Sequence, residues 1–368
     1  MLKARARTVR PGRAPIVTVA LLAAGALVAV ATAAAGCGSG AGATPKITTT
    51  ARAGVAPTPP VQGAYFGAWV PPADAPREDG PAESPSASPS GGRDGEEAGR
   101  PGMAPLTAFE GELGRRLDIA QSYRGWKSSF PSRFDASVLA SDRYLLLTWA
   151  GADTEEIVRG AHDGLIRERA RAIKATGKPV FLRWSRDMDK ESQEKRVHSP
   201  AAFVAAWKHM RAIFKAERVD NVAWVWCPSA GGFGSRNAPA YYPGDGEVDW
   251  ICADAQPGGN YDYRDLSEAM KLFLEWARER PKPIMIAEFG VPKSYDRRRA
   301  EWLRAAARTL QDPQVKAVVY FNSDEQAEEP RDKRRMYAVT GDAQAVSALR
   351  EFATTPYFNP RNLPVTSG

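Results

Sequence analysis

Histidine and cysteine are scarce in this sequence, with three of each in 368 residues, and that scarcity removes several chemistries. His162, His198 and His209 each fall in or at the start of a predicted helix, and no Gly-x-Ser-x-Gly elbow accompanies them. Both facts argue against a serine triad. No cysteines and histidines share metal-ligand spacing. The run Asp187-Met188-Asp189-Lys190-Glu191 offers spaced oxygens, but it lacks the glycine and distal glutamate of a calcium loop. No metal or cofactor is therefore expected. A Gly-rich turn after the first strand, the mark of a dinucleotide fold, is also missing, since Gly67 stands alone there. A basic stripe is missing too. The formal charge of +7 falls to +2 without the five basic residues of the first 13 positions. The remaining ones alternate with acids along helices such as 156–171, which is a solvated face and not a nucleic-acid surface.

What the N-terminus does hold is a leader. Lys3, Arg5, Arg7, Arg10 and Arg13 precede an apolar run over 14–35 that ends in Ala34-Ala35-Gly36-Cys37. This reads as a signal peptide over 1–36. Small residues directly before a cysteine resemble the bacterial lipobox, which implies lipidation of Cys37 and an extracytoplasmic protein held to the cell membrane. An uncleaved anchor is the alternative, because about 20 apolar residues can span a bilayer. Export permits a disulfide between Cys227 and Cys252, the two remaining cysteines. Two buried thiols are the other possibility, as sequence does not reveal a Cα separation. Residues 37–62, rich in Ala, Gly, Thr and Pro, read as a flexible tether. The stretch 72–103 has too little apolar content to pack and reads as a disordered insertion in the first strand-to-helix loop.

From residue 63 to 355, short apolar runs alternate with longer amphipathic ones, a pattern of parallel strands joined by helices. The runs at 117–121, 144–149, 179–184, 222–226, 248–253, 283–288 and 317–322, with one near Tyr65, make eight strands. Helical periodicity is clearest over 154–176, 200–217, 266–279, 296–309 and 343–352. The fold class expected is α/β, a single monomeric (β/α)8 TIM barrel of eight such units over about 290 residues, with 356–368 as a C-terminal tail. Such barrels put their chemistry at the C-terminal strand ends. Here those ends carry Trp149, Trp184, Trp226, Asp254 and Glu288. Trp69, Trp184, Trp226, Tyr242 and Asp254 are the candidate cleft lining for a polysaccharide, since an indole face stacks on a sugar ring. Core packing is the competing role for each tryptophan.

Glycoside hydrolysis needs two carboxyl groups flanking the bond. Glu288, in Pro283-Ile284-Met285-Ile286-Ala287-Glu288-Phe289-Gly290, ends a strand with almost no other polar group nearby. Asp187 and Asp189, just beyond the fourth strand, are its candidate partners. Several pieces then resemble the beta-mannanase-type glycoside hydrolases of family 26 over roughly 64–352. They are Gly63-Ala64-Tyr65-Phe66-Gly67-Ala68-Trp69, Lys178-Pro179-Val180-Phe181-Leu182-Arg183, Val225-Trp226-Cys227-Pro228, Tyr241-Tyr242-Pro243-Gly244-Asp245 and Ile286-Ala287-Glu288-Phe289-Gly290. The resemblance implies a retaining enzyme acting on a beta-linked mannan, with Glu288 as nucleophile and Asp187 as acid/base on strands seven and four. It also exposes departures. Arg186-Asp187 stands where the family has His-Glu, and Gln256 where it has a tyrosine contacting the nucleophile. Ser192 and Gln193 replace an expected aromatic. Arg186 and Gln256 thus join the candidate substrate-binding residues. A non-catalytic glycan-binding barrel, or a hydrolase of another beta-glycan, is the alternative outcome.

Overall fold

The computed structural model describes residues 47–73, 100, 102–257, 263–324 and 333–366. Cys37, the leader and most of the 72–103 insertion lie outside the described residues. Eight parallel strands close into a barrel in chain order: β1 (Tyr65–Trp69), β2 (Ile119–Arg124), β3 (Tyr144–Trp149), β4 (Val180–Trp184), β5 (Val222–Trp226), β6 (Trp250–Ala255), β7 (Ile284–Phe289) and β8 (Val315–Phe321). The expected (β/α)8 barrel is what forms. Because helices cover the outer face, the strands are buried on both sides and read as near-continuous apolar runs.

Two cores follow from strand alternation. Ile119, Leu146, Phe181, Val225, Trp250 and Met285 fill the barrel interior, while Leu145, Leu182, Trp184, Trp226, Ile284 and Ile286 face the helices. β7 breaks its alternation. Cys252 pairs with Met285 but Asp254 pairs with Glu288, so β7 carries one extra residue there, a bulge of the kind that re-aims a side chain. It brings Glu288 inward beside Asp254.

Local sequence explains several element boundaries. Ser199 caps the helix Pro200–Ala216 by accepting from the Ala202 amide, with Pro200 at the first helical position. The helix expected over 154–176 is two helices, Thr154–Val158 and Asp163–Ala175. Gly160 in the left-handed region (φ 81°) breaks it. Two helices carried too little periodicity to be expected, Ala104–Leu113 and Arg133–Leu139, the second started by a capping box between Ser132 and Asp135. No helix among the described residues is long and apolar enough to cross a membrane.

Both chain ends depart from expectation. Within the segment expected as a tether, residues 47–62 run across the N-terminal mouth of the barrel. The Thr48 amide donates to Pro281 O (2.7 Å), the Thr50 amide to Asp249 (2.9 Å) and Arg52 to Asp220 (2.9 Å), while Ala51 packs on the interior core. These groups satisfy polar atoms that the strand starts leave open. In the expected tail, Phe358 is buried, Tyr357 O accepts from the Ala64 amide (2.7 Å) and Val365 bridges to Arg115. Residues 356–366 are therefore part of the barrel's packing.

Candidate active site

Arg183 organises the C-terminal mouth. It points inward because its neighbours Leu182 and Trp184 point out, and it is fully buried. Its Nε donates to Thr148 Oγ1 (2.9 Å), Nη1 to both Asp254 oxygens (2.7 and 2.9 Å), and Nη2 to Glu288 Oε1 (2.5 Å). Glu288 Oε1 also accepts from the Tyr123 hydroxyl (2.5 Å) and lies 3.5 Å from Arg186 Nε, while Oε2 accepts from Gln256 Nε2 (3.1 Å). Burial would raise the Glu288 carboxyl, but Arg186, Arg183 and the Tyr123 hydrogen bond outweigh it and hold it at about 2. Asp254 moves the other way. Burial pushes its carboxyl well above the usual range, with Arg183 opposing and the charge of Glu288 adding to the rise. Two carboxylates sharing one guanidinium titrate as a pair.

Asp187 enters from the β4 loop and is 3% exposed. Its Oδ2 accepts from Arg186 Nη1 and from Lys190 Nζ (2.8 Å), while Oδ1 is buried with no hydrogen-bond partner. Arg186 therefore bridges Asp187 and Glu288. The loop is strained, since Ser185 (φ 47°) and Asp187 (φ 56°) both adopt left-handed backbone, and such strain concentrates at working sites. Asp189, the other candidate, turns away. It accepts from the Ser229 amide (2.8 Å) and hydroxyl (2.5 Å), and burial raises its carboxyl against those bonds.

The structure sorts the other candidates. Gln256 and Asp254 belong to the Glu288 cluster, and Trp69 stands edge-on to Tyr123 at 4.7 Å. Trp184 and Trp226 do not line a cleft. Alternation turns both outward, Trp184 stacking on Phe203 (5.4 Å) and Trp226 donating to Tyr241 O (3.0 Å) under the helix Leu266–Ala277. Tyr242 is also elsewhere, its hydroxyl on Asp245 (2.7 Å) and its ring between Trp226 and Trp276. Sequence reasoning gave no role to Arg183, Tyr123 or Thr148. Inward parity from Phe181 finds the first. Tyr123 fell beyond the expected end of β2.

Cys227 and Cys252 form a disulfide with Cα atoms 4.4 Å apart, under Asp254 between β5 and β6. Together with Asp254 they are the one group among the described residues whose donor atoms gather closely enough for a metal. Those atoms are already engaged, the sulfurs with each other and the carboxylate with Arg183.

No family model matches the chain. Endoglucanase H of Acetivibrio thermocellus is 24% identical over 279 residues, 71% of this chain and 30% of that protein. Beta-1,3-xylanase TXYA of a Vibrio species is 25% identical over 149 residues, 39% of this chain and 30% of that protein. The chain thus spans less than a third of the length of either relative. Among solved structures, the GH26 beta-mannanase of Bacteroides ovatus superposes with a TM-score of 0.55 at 14% identity, covering 80% of this chain and 90% of that one. The catalytic domain of the Bacillus sp. JAMB-750 GH26 endo-beta-1,4-mannanase gives 0.57 at 12% identity, covering 80% and 86%. The chain carries the fold of the GH26 beta-mannanases.

Proposed function

We propose that this protein is a retaining glycoside hydrolase of a beta-linked, mannan-type polysaccharide, with Glu288 as nucleophile and Asp187 as acid/base. The observation that carries the reading is a buried, ionised Glu288 clamped at the C-terminal mouth of the barrel and joined to a second carboxylate through Arg186. Oε1 of Glu288 is occupied by Tyr123 and Arg183, so Oε2 is the oxygen that attacks C1 of the sugar. As the C1–Oε2 bond forms, the bond from C1 to the leaving oxygen breaks, and that oxygen takes a proton from Asp187. Oδ1, which no protein group engages, is the atom suited to carry this proton. Asp187 then removes a proton from water as the water attacks C1 and frees Glu288.

The test is reducing-end release from beta-mannan, beta-glucan and xylan by the purified chain, with Glu288→Ala and Asp187→Ala alongside. Release from mannan that both substitutions abolish supports the reading. Release from beta-glucan or xylan alone reassigns the substrate. Binding without release makes it a glycan-binding barrel, the outcome favoured by Arg186 sitting between the two carboxylates. We further propose that the barrel is exported and lipid-anchored through Cys37. Metabolic labelling with a fatty-acid analogue, lost in Cys37→Ala, checks it.

A further inference from the structure

In the β4 loop two cations meet on one carboxylate oxygen and a third meets no carboxylate. Arg186 and Lys190 share a single carboxylate oxygen, Asp187 Oδ2. Behind them lies Arg196, half-buried, whose Nη1 donates to Gly151 O (3.2 Å) and whose Nη2 donates to Gln193 Oε1. Neutral groups alone hold it. Burial first, and then the charge of Arg186, disfavour its charged form, and no carboxylate counters them. A half-buried cation beside a second cation and no anion favours the approach of a negative group.

Three buried polar atoms of this loop lack hydrogen-bond partners: Ser185 Oγ, Asp187 Oδ1 and Arg196 Nε. Ser185 Oγ and Arg196 Nε sit close together. A Cβ on Gly151, at the end of β3, would collide with Ser185 Oγ and stand 3.4 Å from Arg196 Nε. Buried polar groups are almost always satisfied, and two of these three atoms belong to or adjoin the left-handed turn that also carries Arg186. The planar guanidinium fork matches a carboxylate in two parallel hydrogen bonds.

We infer that the cleft takes an acidic glycan, a beta-linked polymer of hexuronic acid units, with Arg186 and Arg196 holding a uronate carboxylate beside Glu288. This rests on the glycoside hydrolase reading and narrows its substrate class. The uronate supplies the counter-charge that Arg196 lacks. A neutral mannan would leave Arg196 uncompensated.

The test compares mannan, beta-1,4-polymannuronate, which is the same backbone with the C6 carbon oxidised, and mannan sulfate. Binding and reducing-end release are measured at low and high salt for the wild type and Arg196→Gln. The expected result is a preference for polymannuronate over mannan of about tenfold or more, the worth of one charge-assisted hydrogen bond, shrinking with salt and largely lost in Arg196→Gln. Equal or better use of mannan overturns the inference while leaving the hydrolase reading intact. A preference that survives Arg196→Gln overturns the role of Arg196, and mannan sulfate matching polymannuronate overturns the carboxylate assignment. Neither binding nor release with any of these polymers, or with beta-glucan and xylan, overturns the glycan reading itself.

Discussion

Replacing Arg183 with methionine keeps most of the side-chain volume but removes the cation on which the site is built. Asp254 and Glu288, both buried, then face each other without their shared guanidinium. Removing one partner of a buried ion pair costs about 3–5 kcal/mol, while Thr148 keeps its hydrogen bond with Gln121. A domain with about 5–15 kcal/mol in hand should survive this, with much of its margin gone. The pH dependence carries a second signature. A Glu288 carboxyl at about 2, against 4.5 in an open chain, contributes about 3 kcal/mol. Because the folded value is depressed, that contribution is complete above 4.5 and is lost as pH falls towards 2. In Arg183→Met the depression shrinks, leaving Arg186 and Tyr123 to sustain it, so the acid-side loss of stability flattens. Urea denaturation at pH 7, 4.5 and 3 measures both effects. The double variant Arg183→Met/Asp254→Leu should recover part of the loss, since it removes one of the two anions. A loss below about 1 kcal/mol at pH 7, or a double variant no more stable than the single one, would refute the view that Arg183 is the keystone.

Other perturbations separate chemistry from support. Asp187→Ala should lower polysaccharide turnover by about 100-fold or more yet spare aryl glycosides whose leaving group needs no proton; equal losses on both would remove Asp187 as the acid. Asp187→Glu restores the missing methylene and should raise turnover if reach limits the rate, which steady-state kinetics will show. Breaking the disulfide with Cys252→Ala should cost about 3 kcal/mol, and thermal melts with and without reductant should converge for that variant alone. Trp184→Phe should lower the melting temperature and leave KM unchanged, because the indole packs on Phe203. Trp69→Phe, next to Tyr123 at the mouth, should raise KM instead.

The barrel was legible because its strands, buried on both faces, are apolar runs of five to seven residues between amphipathic segments, and that pattern survives any detail of packing. Its site was legible where chemistry stood alone, as with Glu288, whose five preceding residues are apolar or proline. Parity, by contrast, misleads at that residue. Alternation from Met285 would turn Glu288 towards the helices, and only the bulge that pairs it with Asp254 turns it inward. At Trp184 and Trp226 the error runs the other way, because being last in a strand was taken as facing the mouth, whereas alternation from Phe181 and Val225 sends both into the outer core.

Residues 47–62 show why composition misjudges a docked segment. Their side chains are mostly small or polar, which is the mark of a free linker, but backbone amides and hydroxyls tie the segment down, with Ala51 and Ala56 adding packed area. The N-terminal ends of eight parallel strands present carbonyls and carboxylates facing the same way, Pro281 O and Asp249 among them. Thr48 and Thr50 supply donors at the spacing those acceptors require. A segment of this kind is recognisable only once its partner surface exists, since the acceptors come from residues about 200 positions away in the chain. The same dependence hides the tyrosine on Glu288: its hydroxyl comes from β2, three strands away around the closed barrel, and nothing local to Tyr123 marks it as a partner of β7.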